Sequence, residues 1–206
     1  ISMVLTILGA YTLSRKNLYW GKMISMIVII PMFFSGGLIP FYLLVKNLGM
    51  LDSLWALILP TALSTYNMMI MRTALAGVPK ALEEAAEIDG ANPLVVLFRI
   101  LIPLTIPTIA VLILYYAVAN WNSWFNAMLF LPKAKEKWPL QLVLRNLLIQ
   151  NQTDDLTSGV AAADKFSVSE TIKYATIIVS TLPILCLYPF LQKYFLKGVM
   201  VGSVKG

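Results

Sequence analysis

Long apolar runs constrain this chain more than any single motif. They lie at about 1–13, 23–45, 54–71, 104–131 and 172–196, and their interiors hold almost no charge. About twenty apolar residues are needed for a helix to cross a hydrocarbon core roughly 30 Å thick. Backbone polar groups in lipid must be satisfied within the segment, which favours helices for runs of this length. With 59% hydrophobic and 13% charged residues and a mean hydropathy of +0.78, the chain lies outside the range of soluble domains. The expectation is one all-α transmembrane domain over 1–206, a multi-pass bundle with about five spans. The first run is too short to cross alone, and the chain opens on Ile1 inside it. This predicts a longer protein, with the first of six spans missing here.

Absences narrow the function. There is no histidine, which excludes imidazole-based metal sites and histidine acid/base catalysis. The one cysteine, Cys186, lies in an apolar run and reads as a small packing residue. The net charge of +6 is scattered over the ends of the runs, with no aromatic-interleaved basic patch, so nucleic acid is not an expected partner. Arg15, Lys16 and Lys22 crowd one short connection; Arg72, Lys80 and Arg99 flank another; Lys193, Lys197 and Lys205 mark the end of the chain. By the positive-inside rule these regions face the cytoplasm, which puts 46–53 and the long connection 132–170 outside. Lys133, Lys135, Lys137, Arg145 and Lys165 run against that assignment, but charge in long connections weighs little.

One connection is unlike the others. Glu83, Glu84, Glu87 and Asp89 bring four carboxylates into seven residues. Each would cost roughly 2.5–3.5 kcal/mol at the membrane centre, so the segment lies outside the bilayer. Pro79 suits a first helical position, Gly90 a left-handed residue that ends a helix, and Asn92-Pro93 a capped start for the next helix. A helix-turn-helix over 79–103 follows. At 100° per residue Ala81, Leu82, Ala85, Ala86 and Ile88 fall on one arc, with Glu83, Glu84 and Glu87 on the other. The paired alanines leave a shallow surface suited to seating in a partner's groove with a charged rim.

The stretch Glu84-Ala85-Ala86, three residues, Gly90, nine residues, then Ile100-Leu101-Ile102-Pro103 resembles the E-A-A-x3-G-x9-I-x-L-P motif of bacterial ABC-importer permeases. Ile102 stands where leucine is usual. Asp89 beside Gly90-Ala91, and the ending Gly202-Ser203-Val204-Lys205-Gly206, resemble the carbohydrate branch that includes maltose-type permeases. Trp138-Pro139-Leu140-Gln141 with Leu144-Arg145 is similar to permeases for complex or acidic oligosaccharides. The resemblance covers nearly the whole chain. It implies the ABC type I importer fold and assigns Glu84, Ala85, Ala86, Asp89, Gly90, Ala91, Ile100 and Pro103 to contact with a cytoplasmic ATPase. It also implies a second permease subunit, two ATPase subunits holding ATP and magnesium, an extracellular or periplasmic substrate-binding protein, and the bacterial cytoplasmic membrane with its lipid. On that resemblance 132–170 would meet the binding protein; on the residues alone a plain surface cap fits equally.

The residues themselves suggest a transport path. Ion-coupled carriers keep ionisable groups in their spans, and these spans lack them. Tyr66 and Asn67 interrupt one run, and Asn120, Trp121, Asn122, Trp124 and Asn126 cluster in another. Amides and aromatic faces are what sugars bind. An interfacial aromatic belt accounts for the tryptophans but not for three asparagines. Helical spacing would put Asn120 with Trp124, and Asn122 with Asn126. Within 132–170, Leu140, Leu142, Val143, Leu144, Leu147, Leu148 and Ile149 predict a partly amphipathic helix, followed by a polar, flexible 151–165. No phosphate-binding G-x-x-x-x-G-K-[ST] loop occurs, so any ATPase is a separate chain and this one binds no cofactor. The reading is a permease subunit that carries a sugar, an oligosaccharide above all, and performs no chemistry. Its rivals are an importer permease for a non-sugar solute, an ATP-independent carrier or channel, and an intramembrane enzyme for which the spans hold no catalytic cluster.

Overall fold

The computed structural model describes residues 1–15, 18–157, 170–187 and 189, the side chains of 151–157 excepted. Among them every regular element is helical. Besides a 3-10 turn at Lys135–Lys137, in chain order these are α1 (Ser2–Ser14), α2 (Gly21–Phe33), α3 (Leu38–Asn47), α4 (Trp55–Ile58), α5 (Thr65–Ala76), α6 (Lys80–Ile88), α7 (Pro93–Leu104), α8 (Ile106–Trp121), α9 (Phe125–Phe130), α10 (Leu140–Thr157) and α11 (Glu170–Leu187). The ending 202–206, Lys193, Lys197, Lys205 and the part of the long connection from 158 to 169 lie outside the described residues.

Three expected spans are broken, each where local chemistry disfavours a continuous helix. The run 23–45 stops after Phe33 and restarts at Leu38, around Gly36 and Gly37, the latter at φ 88°. The run 54–71 divides into α4 and α5 around Pro60, and the Ser64 hydroxyl caps α5 by accepting from the Asn67 N–H at 3.3 Å. The run 104–131 divides into α8 and α9 at 122–124, where asparagine and serine compete for backbone hydrogen bonds. One described helix, α11, is long and apolar enough to cross a membrane, or up to three if each of two bent pairs is one span. The helix α10 corrects the expectation for 151–157, which is helical through Thr157 and holds no glycine or proline; 158–165 lies outside the described residues.

The chain forms two compact units, Ile1–Leu38 with Leu59–Tyr116, and Ile39–Ile58 with Ala117–Phe190. The first is centred on α1 against α5. Ala10, Tyr11 and Leu13 pack on Met68, Met71 and Leu75, and Val96, Leu97, Leu101 and Leu112 complete the core. A polar node sits in this unit: Thr6 Oγ1 and Tyr116 Oη are 2.6 Å apart, and the Ser64 N–H donates to Tyr116 Oη at 3.2 Å. In contrast, α2 buries no residue, and Phe33 and Phe34 are 73% and 75% exposed. A helix apolar all round needs lipid or another chain around it.

The second unit is built around Phe130, which lies under Val45 and Ala56, meets Phe41 edge-on and stacks on Tyr42. Ala127, Leu131, Ala134 and Leu142 form an adjoining cluster under Trp124 and Trp138.

Candidate functional site

The acid-rich helix-turn-helix lies in the first unit. Helix α6 starts at Lys80, so Pro79 precedes the first turn rather than occupying it. It ends in two reciprocal bonds, Ala91 N–H to Ala86 O at 2.9 Å and Gly90 N–H to Glu87 O at 3.0 Å. That pattern is a Schellman motif, and it places Gly90 at φ +82°. Two residues on, Asn92 Oδ1 accepts from the Val95 N–H at 2.8 Å and opens α7 at Pro93. The turn is therefore closed by local hydrogen bonds at both helix ends.

Packing then decides which way α6 faces. Ala86 and Ala91 rest on the core formed by α1, α5 and α7. Glu84, Ala85, Glu87, Ile88, Asp89 and Gly90 are exposed, with Ile88 at 86%. Ala86 thus leaves the arc it was expected to share with Ala85 and Ile88, because it fills the gap between α6 and its own domain. Glu83 turns inward too. It accepts from Arg15 Nη1, while Arg15 Nη2 donates to Tyr11 Oη and the guanidinium lies 4.2 Å over the Tyr11 ring. Tyr11 Oη in turn donates to Pro93 O at 2.8 Å. Both helices of the motif are thereby tied to the end of α1. None of this was visible locally, since the partners are 68 and 82 residues apart.

The far end of α7 is irregular. Leu97–Leu101 is a π-helical turn closed by the Ile102 N–H on Leu97 O. Pro103 follows, with no N–H to offer the Arg99 carbonyl. Ile100 is half-buried and Pro103 exposed. At Thr105, whose hydroxyl bonds Leu101 O at 2.8 Å, the chain turns by 84° into α8. A displacement of α7 would therefore reach α8 through a bend rather than along a straight rod.

The residues expected along a path fall into both units. In the first, Tyr66 is exposed, while Asn67 is 6% exposed and its side-chain amide has no hydrogen-bond partner among the described residues. In the second, the break at 122–124 removes the helical faces expected for Asn120 with Trp124 and for Asn122 with Asn126. Asn120 and Asn122 are exposed, and Asn126, Trp121 and Trp124 half-buried. Trp121 Nε1 donates to Ser180 O at 2.9 Å, holding α8 to α11.

Asp52 carries a role that its sequence neighbourhood did not suggest. At φ 57°, its Oδ1 accepts from the Lys133 and Ala134 N–H groups at 2.8 and 3.1 Å, and its backbone bonds Phe130 O and Lys137 Nζ. It joins the two connections expected to face outwards.

With the fold and these sites in view, comparison with known proteins defines the class. The family model described as "Binding-protein-dependent transport system inner membrane component" matches residues 3–201. The chain belongs to this family of membrane permeases. It is 44% identical over its whole length to the polygalacturonan/rhamnogalacturonan transport system permease protein YtcP of Bacillus subtilis, spanning 72% of that protein. It is 43% identical to protein LplC of the same organism, again over its whole length and 69% of the relative. Among solved structures, a bacterial ABC transporter involved in the import of the acidic polysaccharide alginate superposes with a TM-score of 0.82 at 34% identity, over 94% of this chain and 69% of that one. The ABC type I importer permease fold expected from the motif is therefore the fold observed.

Proposed function

We propose that the chain is the permease subunit of an ATP-driven carbohydrate importer, with an oligosaccharide as cargo, and that α6 and the start of α7 receive the movement of a cytoplasmic ATPase. The relatives named for polygalacturonan and for alginate transport support a saccharide cargo. The observation that carries the coupling reading is the two-sided build of α6. One face is tied to its own domain through Ala86, Ala91 and the Arg15–Glu83 pair. The other offers Ala85, Ile88 and Glu84 to solvent at the tip of a doubly capped turn. A rigid element with an apolar, acid-rimmed outer face fits helix-in-groove docking. Glu84, Ala85, Asp89, Gly90 and Ala91 would form or shape the contact, and Ile100 and Pro103 would pass displacement into α8.

In this reading a second permease subunit supplies the other half of the path, two ATPase subunits hold ATP and magnesium, and an external binding protein delivers cargo. Tyr66, Asn67, Asn120, Trp121, Asn122, Trp124 and Asn126 are the proposed path residues. The test is gentle extraction of the full-length protein from its native membrane, followed by identification of what co-purifies. A stoichiometric ATPase and a second apolar chain support the reading. A protein that emerges alone and transports in liposomes without ATP would overturn it in favour of a carrier or channel.

A further inference from the structure

The second unit contains a cleft of about 440 Å³ between the start of α9, the helix α10 and α11, lined by Trp124, Gln141, Leu144, Arg145, Thr176 and Ser180 among others. The Arg145 guanidinium lies 4.2 Å over the centroid of the Trp124 ring, and Phe125 braces that ring edge-on at 5.6 Å. Stacking uses the flat face of a guanidinium and leaves its N–H donors free around the edge. Among the described residues only the Met128 sulfur, 3.8 Å from Nη1, meets one of them, and a thioether is a weak acceptor. The described ion pairing leaves Arg145 without a carboxylate. Thr176, also lining the cleft, is 8% exposed, and its hydroxyl has no partner among the described residues.

A held, unpaired guanidinium beside a buried, unpaired hydroxyl is a poor way to stabilise a fold and a good way to bind a polar anion. The volume suits one or two sugar rings. We propose that this cleft is a subsite for the carboxylate of a sugar acid. Arg145 takes the carboxylate in its fork, Trp124 fixes the plane of that fork, and Thr176 and Gln141 bond neighbouring hydroxyls. The preferred cargo is then a uronate-bearing oligosaccharide. This rests on the carbohydrate-importer reading and adds the group that selects charge.

The test uses the complete importer with its binding protein in liposomes loaded with ATP. Uptake of trigalacturonate is compared with that of its methyl ester and of maltotriose. The wild type is expected to prefer the acid. Arg145→Gln should lower acid uptake by about ten- to a hundredfold, the worth of a charge-assisted bond, and shift the acid-to-ester ratio towards the ester. Arg145→Lys should restore part of both. Thr176→Val, close to isosteric, should reduce acid uptake less, in a complex of unchanged elution. Wild-type uptake of trigalacturonate by Arg145→Gln, or a wild type that takes only the neutral probes, overturns the subsite and leaves the importer reading standing. No ATP-dependent uptake of any probe overturns the importer reading itself.

Discussion

Gly90 sits at φ +82° with open space where a Cβ would be, so the objection to a side chain there is backbone conformation, not collision. An L-residue in that region costs about 1–2 kcal/mol, and asparagine tolerates it best. Proline is worse, because it forces φ to about −65° and removes the N–H that bonds Glu87 O. Gly90→Asn should therefore leave uptake near normal, Gly90→Ala should lower it modestly, and Gly90→Pro should leave ATP hydrolysis running with uptake largely lost. The ratio of ATP hydrolysed to substrate imported measures this, and normal uptake by Gly90→Pro would sink the coupling assignment. Asp52 works through hydrogen bonds instead. Asp52→Ala removes the acceptor for two N–H groups and should destabilise the second unit by about 1–2 kcal/mol, the discount reflecting solvent nearby. A fall in the Tm of the extracted complex, with Asp52→Asn intermediate, would register it.

At the scale of elements, the question is what holds α6 in register with the rest of its unit. The Arg15–Glu83 pair is partly shielded, with side chains 29% and 18% exposed, and it shares Arg15 with Tyr11. Such a pair contributes about 1–2 kcal/mol. Glu83→Gln should keep the protein folded but loosen α6, seen as faster amide exchange over 80–91 and a reduced yield of transport per ATP. Unchanged exchange would show that Ala86 and Ala91 hold the helix without the pair. Tyr11→Phe isolates the other tie by removing the bond to Pro93 O while keeping the ring in the core. It should loosen the start of α7 more than α6, by the same exchange measurement. These ties explain why the acidic arc read from the sequence divides in two: Glu83 serves the fold, while Glu84 and Glu87 remain at the surface.

At the scale of the molecule, much of the described apolar surface is uncovered. Helix α2 has no buried residue, and Ile177, Ile178, Leu182 and Leu185 on α11 are all exposed. A chain built this way depends on lipid or other subunits to cover those faces. The class of protein was legible in the sequence for local reasons. Apolar length marks membrane helices, and the Gly90 and Asn92 caps depend only on residues within one turn. The spacing from Glu84 to Pro103 is likewise a local pattern, which is why the family is legible in it. Tertiary structure alone decided which face of α6 points inward, that Asp52 reaches residues 81 and 82 positions away, and that Arg145 lies on Trp124. Those pairings depend on how whole helices pack, and helix packing is set by the sum of many distant contacts that no short window of sequence contains.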